Sequence, residues 1–167
     1  MEKQNDVLGM LDRCVKALYK YQTVMNEYSS ISKEYGPGLF MTETEAHTLG
    51  FIAGEEGMTS KRLGEITNRS KSTTSQIVKV LTAKGLIRRQ VNPDNKREQL
   101  LFLTEKGKVA NSQHQAYDHT TMYSVLEKLR EHCTEDELTA FFKVLELRTA
   151  MYEPMITLEK RKVKSEK

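Results

Sequence analysis

Between Ser70 and Gln76 the chain reads SKSTTSQ, five hydroxyl residues in seven. Ser and Thr weaken a helix interior because their hydroxyls compete for backbone hydrogen bonds, yet Ile77, Val78 and Leu81 follow at once at helical spacing. With Thr74, Ile77, Val78 and Leu81 turned inward, the opposite side of such a helix displays Lys71, Ser72, Thr73, Ser75, Gln76 and Lys79. That surface suits a polyanion. Hydroxyls and free backbone N–H groups at a helix start donate to phosphate oxygens, a Gln side chain matches the paired donor and acceptor of adenine, and lysine meets guanine or phosphate. Ser70 and the start of the preceding short helix, Thr59 and Ser60, complete one set of candidate DNA contacts.

Two further groups have chemical spacing. "NPDNKR" (92–97) lies between the β-prone runs "LIRRQV" and "EQLLFL", and Pro93 with its Asn and Asp neighbours suits a turn. This predicts a hairpin whose tip presents Lys96 and Arg97. His114 and Asp118 stand four apart in a helical pattern and therefore share a face, a spacing that can put two ligands on one ion; an ordinary polar pair fits it equally well, and His119 is a rival ligand. The two cysteines, Cys14 and Cys133, lack the close spacing of a zinc site or redox dithiol, so free thiols in a reducing compartment are expected.

Charge supports the first two groups. The net charge of +3 conceals a segregation: residues 59–97 hold ten Lys or Arg (61, 62, 69, 71, 79, 84, 88, 89, 96, 97) against two acids (65, 94), or +8. The remainder has 26 − 10 = 16 bases and 23 − 2 = 21 acids, or −5. A basic middle between acidic flanks is the footprint of a nucleic-acid-binding element. With 167 residues, 38% hydrophobic and 29% charged, and a mean hydropathy of −0.60, the chain reads as one globular protein. No apolar run approaches the roughly 20 residues that span a bilayer. No cleavable leader is visible either, so the expected compartment is the cytoplasm and no membrane contact is expected.

The elements that must carry these groups follow from periodicity. Apolar residues at 8, 11, 15, 18, 25, 28 and 31 predict one long helix over about 7–35, stopped by "GPG" at 36–38. "TETE" at 42–45 is a capping box opening a second helix that ends near Gly54 or Gly57. A short third helix from Thr59 or Ser60 turns Leu63 and Ile66 inward, and the fourth runs from Ser70 to Gly85. After the hairpin, "LTEKGK" opens a helix from Thr104 to about Arg130, with Val109, Ala116, Tyr117, Tyr123, Leu126 and Leu129 as its apolar positions. A second capping box, "TEDE" at 134–137, starts a last helix to about Tyr152, followed by a charged, frayed tail. The fold class is thus mainly α with a small β-hairpin. Residues 1–38 form an N-terminal dimerisation helix, 39–103 a winged helix-turn-helix lobe, and 104–167 the C-terminal dimerisation helices and tail. The flanking helices have apolar stripes with too little mutual surface for a core, which points to a two-fold homodimer.

"LGEITNRSKSTTSQIVKVLTAKGLIRR", followed by "NPDNKREQLLFLTEKGK", resembles the bacterial multiple-antibiotic-resistance regulator (MarR) family, and the resemblance covers about residues 6–152. It implies a homodimer that binds a palindromic operator in double-stranded DNA, usually as a repressor, and is often released by a small molecule. Family wings commonly carry Asp-x-Arg, the arginine entering the minor groove and the acid supporting it. Here the matching residues are Asn95, Lys96 and Arg97, with Asp94 as a possible substitute for the missing acid. An aromatic effector in the family's cleft would meet Tyr19, Tyr21, Tyr28 and Phe51. In the zinc-responsive subgroup, the second helix supplies a ligand at a place similar to His47, and the first a carboxylate, here Glu27, to join His114 and Asp118. Cys14 resembles the reactive cysteine of the peroxide-sensing subgroup. No cofactor is required by these readings; an aromatic effector or zinc is the possible addition.

Other classes compete. A metal-responsive regulator would share this fold, and a winged helix can serve as a protein-interaction module whose basic face binds an acidic partner. An enzyme is not expected: the sequence has no phosphate-binding loop, zinc-protease helix or nucleophile elbow.

Overall fold

A computed structural model describes residues 2–165, and the expected tail residues 166–167 lie outside the described range. The chain forms two compact units, one up to Asp118 and one from His119 onward. In the first, α1 (Glu2–Ser30) leads through a small hairpin, β1 (Lys33–Glu34) and β2 (Phe40–Met41), into α2 (Glu43–Gly54). Then come β3 (Met58–Thr59), α3 (Ser60–Ile66), α4 (Lys71–Ala83), β4 (Ile87–Val91) and β5 (Gln99–Leu103). Helix α5 (Glu105–Arg130) crosses into the second unit, which ends with α6 (Glu135–Ser165).

The capping chemistry is local and appears as the sequence dictates. Thr42 Oγ1 accepts from the Glu45 N–H at 3.3 Å while Glu45 Oε2 accepts from the Thr42 N–H at 3.0 Å. Thr134 and Glu137 repeat this reciprocal pair at α6, at 3.3 and 2.8 Å. Thr59 and Ser70 cap α3 and α4, and Gly85 ends the α4 region with a positive φ of 69°, a backbone state that favours glycine.

Four expectations need correction. The first helix stops at Ser30 rather than near Tyr35, because Tyr35 N–H donates to the Leu39 carbonyl at 3.0 Å and "GPG" closes the β1–β2 hairpin, in which Lys33 faces Met41 and Glu34 faces Phe40. The wing is not a lone hairpin: β3 pairs antiparallel with β5, Met58 opposite Leu101, giving the order β3-β5-β4. Early in α5 the inward positions are Gly107, Ala110, Asn111 and His114, whereas Val109 is exposed. Gly107 sets this phase, since a Cβ there would run into the Leu86 carbonyl, so the helix lies flat against that backbone on its glycine. Finally, α6 does not end near Tyr152 but continues past Pro154 to Ser165. Proline removes one donor from the ladder, while the Glu, Lys and Arg that follow are good helix formers.

The core of the first unit is continuous. Met41, Ala46, Leu49, Ile52, Leu63, Val78, Leu81, Leu86 and Leu101 are essentially inaccessible and form one cluster. Full burial of a Leu or Met side chain contributes about 1.5–3 kcal/mol, so this cluster fixes α2, α3, α4 and the sheet against one another. The second unit is different in kind. Arg130 joins its turn by bonds to Glu127 and Glu135 at 2.8 and 2.7 Å. Along α6, however, Phe141, Val144, Leu147, Met151 and Met155 all stand exposed. No described helix is long and apolar enough to cross a membrane.

Candidate nucleic-acid interface

Helix α4 is amphipathic in the required sense. Thr74, Ile77, Val78 and Leu81 are buried, and Lys71, Ser72, Thr73, Ser75, Gln76 and Lys79 are exposed. Its start is ordered by hydroxyls: Ser70 Oγ accepts from the Thr73 N–H at 3.2 Å and lies 2.9 Å from Ser72 Oγ and 2.8 Å from Thr73 Oγ1. Thr74 turns inward and donates to the Ser70 carbonyl at 2.9 Å. The helix pair packs closely because α3 offers Gly64 at the contact, where a Cβ would stand 3.1 Å from Thr74 Oγ1. Thr59 and Ser60 are only partly exposed, and the Thr59 hydroxyl accepts from the Arg62 N–H at 3.1 Å.

In the wing, strands β4 and β5 pair from Ile87↔Leu103 to Val91↔Gln99, leaving a loop at 92–98. Asn95 Oδ1 accepts from the Arg97 N–H at 3.2 Å, and Asn92 Oδ1 accepts from the Asp94 N–H at 3.1 Å. Asn95 shapes the loop through the Arg97 backbone, and among the described residues Asp94 makes no bond to the Arg97 guanidinium. Lys96 and Arg97 are exposed.

The ten basic residues of 59–97 are not equivalent. Lys61, Arg62 and Lys84 pair with Glu65, Glu55 and Glu45 at 4.0, 3.2 and 2.6 Å. Arg88 lies over the Phe102 ring at 4.4 Å and donates to Gln90. Arg69, Lys71, Lys79, Arg89, Lys96 and Arg97 make no salt bridge among the described residues. Uncompensated cations on α4 and on the wing are what a phosphate backbone requires.

A polar cluster lies between α2 and α5 in the same unit. His114, 3% exposed, places Nε2 3.2 Å from Asp118 Oδ2 and 3.4 Å from His47 Nδ1. The three donor atoms lie within 4.8 Å of one another. A tetrahedral ion with ligand bonds of about 2.0–2.1 Å has ligand–ligand edges near 3.4 Å, so the two short edges fit a zinc-sized ion while the third pair lies within 4.8 Å. Burial pushes the His114 imidazole below its ordinary value, with His47 and Lys33 adding to the effect against Asp118 and Glu43. The shift favours the neutral form, the one that ligates. Around it, the Tyr35 ring meets His114 edge-on at 5.1 Å, and burial raises the Tyr35 hydroxyl to about 12. Lys33 lies 3.1 Å from Glu43 and 3.4 Å over the Tyr28 ring. Burial opposes its charge, but these partners outweigh burial and raise its pKa. Glu27 is exposed and outside the gathered donors, as is His119.

Residues 41–98 match a family model described as MarR family. The matched stretch is 58 of the 167 residues and runs from α2 through the wing loop, so the likeness to the MarR family lies in the lobe described above. The chain is 29% identical over 115 residues to YhjH, an HTH-type transcriptional regulator of Bacillus subtilis (strain 168), covering 69% of this chain and 66% of YhjH, about two thirds of that relative's length. Among solved MarR-type structures, the zinc-responsive Lactococcus lactis ZitR superposes with a TM-score of 0.64 at 22% identity, covering 86% of this chain and 99% of that one. Streptococcus pneumoniae FabT, solved in complex with DNA, gives 0.64 at 20% identity over 87% and 97% of the two chains.

Within this MarR fold, the aromatic residues singled out for an effector do not converge. Tyr19, Tyr21 and Phe51 are exposed, Tyr28 sits under Lys33, and no two of the four are in ring contact among the described residues. Cys14 is exposed on α1 and Cys133 half-buried before α6, both as free thiols. Sequence reasoning missed Lys33, Tyr35 and Glu43 around His114, and Arg69. Only the β1–β2 hairpin had a local cue, the "GPG" turn between short β-prone runs.

Proposed function

We propose that this chain is a MarR-family, sequence-specific double-stranded-DNA-binding regulator of transcription, a ligand-responsive repressor that acts in the cytoplasm as a homodimer on a palindromic operator. One observation carries the reading: the exposed hydroxyl, Gln76 and lysine face of α4 stands with Lys96 and Arg97 of the wing in a unit whose unpaired cations are concentrated there. In a winged helix-turn-helix, α4 enters the major groove and the wing follows the backbone or minor groove. Exposed apolar side chains on α6 and, separately, Leu8, Leu11 and Val15 on α1 are surfaces a second copy could cover, which supports a role for the flanking helices in dimerisation. The family match over residues 41–98 and the regulators among the relatives support the same conclusion. Binding of the full chain to the DNA upstream of its own gene, against an unrelated duplex at several salt concentrations, tests it. A specific complex that weakens steeply with salt is expected. A chain that shifts no DNA even at low salt but retains an acidic protein partner would reassign the face to protein interaction.

A specific observation favours a metal effector as the finer reading. His47, His114 and Asp118 offer three converging donors of the types that bind zinc, one of them a buried imidazole. Zinc held there would tie α2 to α5 and complete its shell with water or another donor. An aromatic effector has less support, since Tyr19, Tyr21, Tyr28 and Phe51 are dispersed. Elemental analysis and competition with a chromophoric chelator distinguish the two.

A further inference from the structure

The turn between α3 and α4 is tied to α2 by a side chain that the interface described above does not use. Arg69 immediately precedes Ser70, whose hydroxyl caps α4 and gathers Ser72 and Thr73. Its Nη1 donates to Thr48 Oγ1 at 3.1 Å, 21 residues away on α2. Thr48 is 1% exposed, and its own hydroxyl donates to the Thr44 carbonyl at 2.6 Å, so the acceptor lone pair is held in place. The turn is constrained on its other side as well: Asn68 has a φ of 52°, and the Arg69 N–H donates to the Gly64 carbonyl at 2.9 Å. Burial disfavours the charge of Arg69, and among the described residues it has no acidic partner. A half-buried guanidinium on a neutral hydroxyl is poor space filling, which an apolar side chain would do at lower cost. What it does provide is a directed bond from the start of the recognition helix to a rigid neighbour.

We propose that Arg69 is a positioning residue that acts through Thr48, fixing the start of α4 on α2 so that the hydroxyl and lysine face meets DNA in one pre-set orientation. This role rests on the DNA-binding reading. Removing the bond lets the α3–α4 turn sample other orientations, and the apparent affinity falls with the fraction of competent molecules.

The test compares the full chain with Arg69→Met, Thr48→Val, the double variant and Thr48→Ser. DNA affinity is measured across salt concentrations, and amide exchange at residues 67–73 is followed without DNA. Each of the first two variants is expected to bind about tenfold more weakly, in line with loss of one bond to a charged group. The double variant should be no weaker than the weaker single, Thr48→Ser should bind like the unmodified chain, and the salt slope should not change. Exchange should quicken at 67–73 in both single variants. Should Arg69→Met fail to fold, Thr48→Val and Thr48→Ser carry the comparison. A salt slope reduced by about 0.9 per protomer in Arg69→Met, with Thr48→Val unaffected, would make Arg69 a direct phosphate contact and overturn the role. Unchanged affinity in both singles would overturn it too, whatever happens to melting temperature. If the unmodified chain binds no DNA, the regulatory reading and this role fall together, an outcome distinct from either of those.

Discussion

Substituting Arg97 by alanine has a consequence that can be worked out from the pairing of charges. Setting aside Arg69, which acts through Thr48, and Arg88, which is held by the Phe102 ring and Gln90, five cations of the basic middle have no acidic partner among the described residues: Lys71, Lys79, Arg89, Lys96 and Arg97. A dimer doubles them to ten, so the slope of log K against log salt should be no steeper than about −9. Arg97→Ala deletes two contacts per operator and should lower the slope by about 1.8. With other contributions equal, the affinity loss is then about 60-fold at 0.1 M salt, about 200-fold at 0.05 M and about 20-fold at 0.2 M, all from the same two contacts. Lys84→Ala is the internal control. Lys84 is bound to Glu45 Oε2 at 2.6 Å and to the Phe40 carbonyl at 2.8 Å, so its loss should leave the slope unchanged. Fluorescence anisotropy on a labelled operator duplex over this salt range reads all three slopes. The reasoning is refuted if Arg97→Ala keeps the slope of the unmodified chain, or if Lys84→Ala lowers it as much.

Two predictions concern the polar cluster. Zinc should bind with a shift in melting temperature, and His47→Ala, His114→Ala and Asp118→Ala should each weaken binding in chelator competition, whereas Glu27→Ala should not; a loss with Glu27→Ala matching the others would restore it to the ligand set. Because burial holds His114 below its ordinary value of 6.5, the unfolded chain binds more protons at this site than the folded one. Its contribution to stability is therefore complete above that value and is lost as pH falls toward the lowered one. Denaturant titrations of the metal-free protein from pH 8 to pH 5 should show stability declining, and His114→Gln should flatten the decline; an unaltered pH profile in the variant would assign the dependence elsewhere.

What the sequence disclosed follows the range of the physics involved. Helix α4 was legible because both its buried side, Thr74 to Leu81, and its exposed side, Lys71 to Lys79, lie within one periodic segment. The two capping boxes depend on residues three apart, and both appear. Strands of two residues have no periodicity: β3 exists only because Met58 and Thr59 reach Leu101 and Leu100. The phase of α5 was misread for a similar reason, since Gly107 gains its meaning from the Leu86 carbonyl, not from neighbours in sequence. In the polar cluster, His114 and Asp118 were visible as a helical pair. His47 came only from family resemblance, while Lys33, Tyr35 and Glu43 carry no local signature. The Arg69–Thr48 bond joins two helices across the turn and is likewise a tertiary fact.

The central claim is that two copies of this chain read one palindromic DNA site with α4 and the wing. Hydroxyl-radical footprinting of the upstream DNA, combined with the mass of the complex in solution, tests it most directly. Two chains per site are expected, with two protected half-sites separated by about one helical turn, roughly 10 bp, or a multiple of it. A single chain per site, or no footprint at salt low enough for any basic protein to bind, would contradict it.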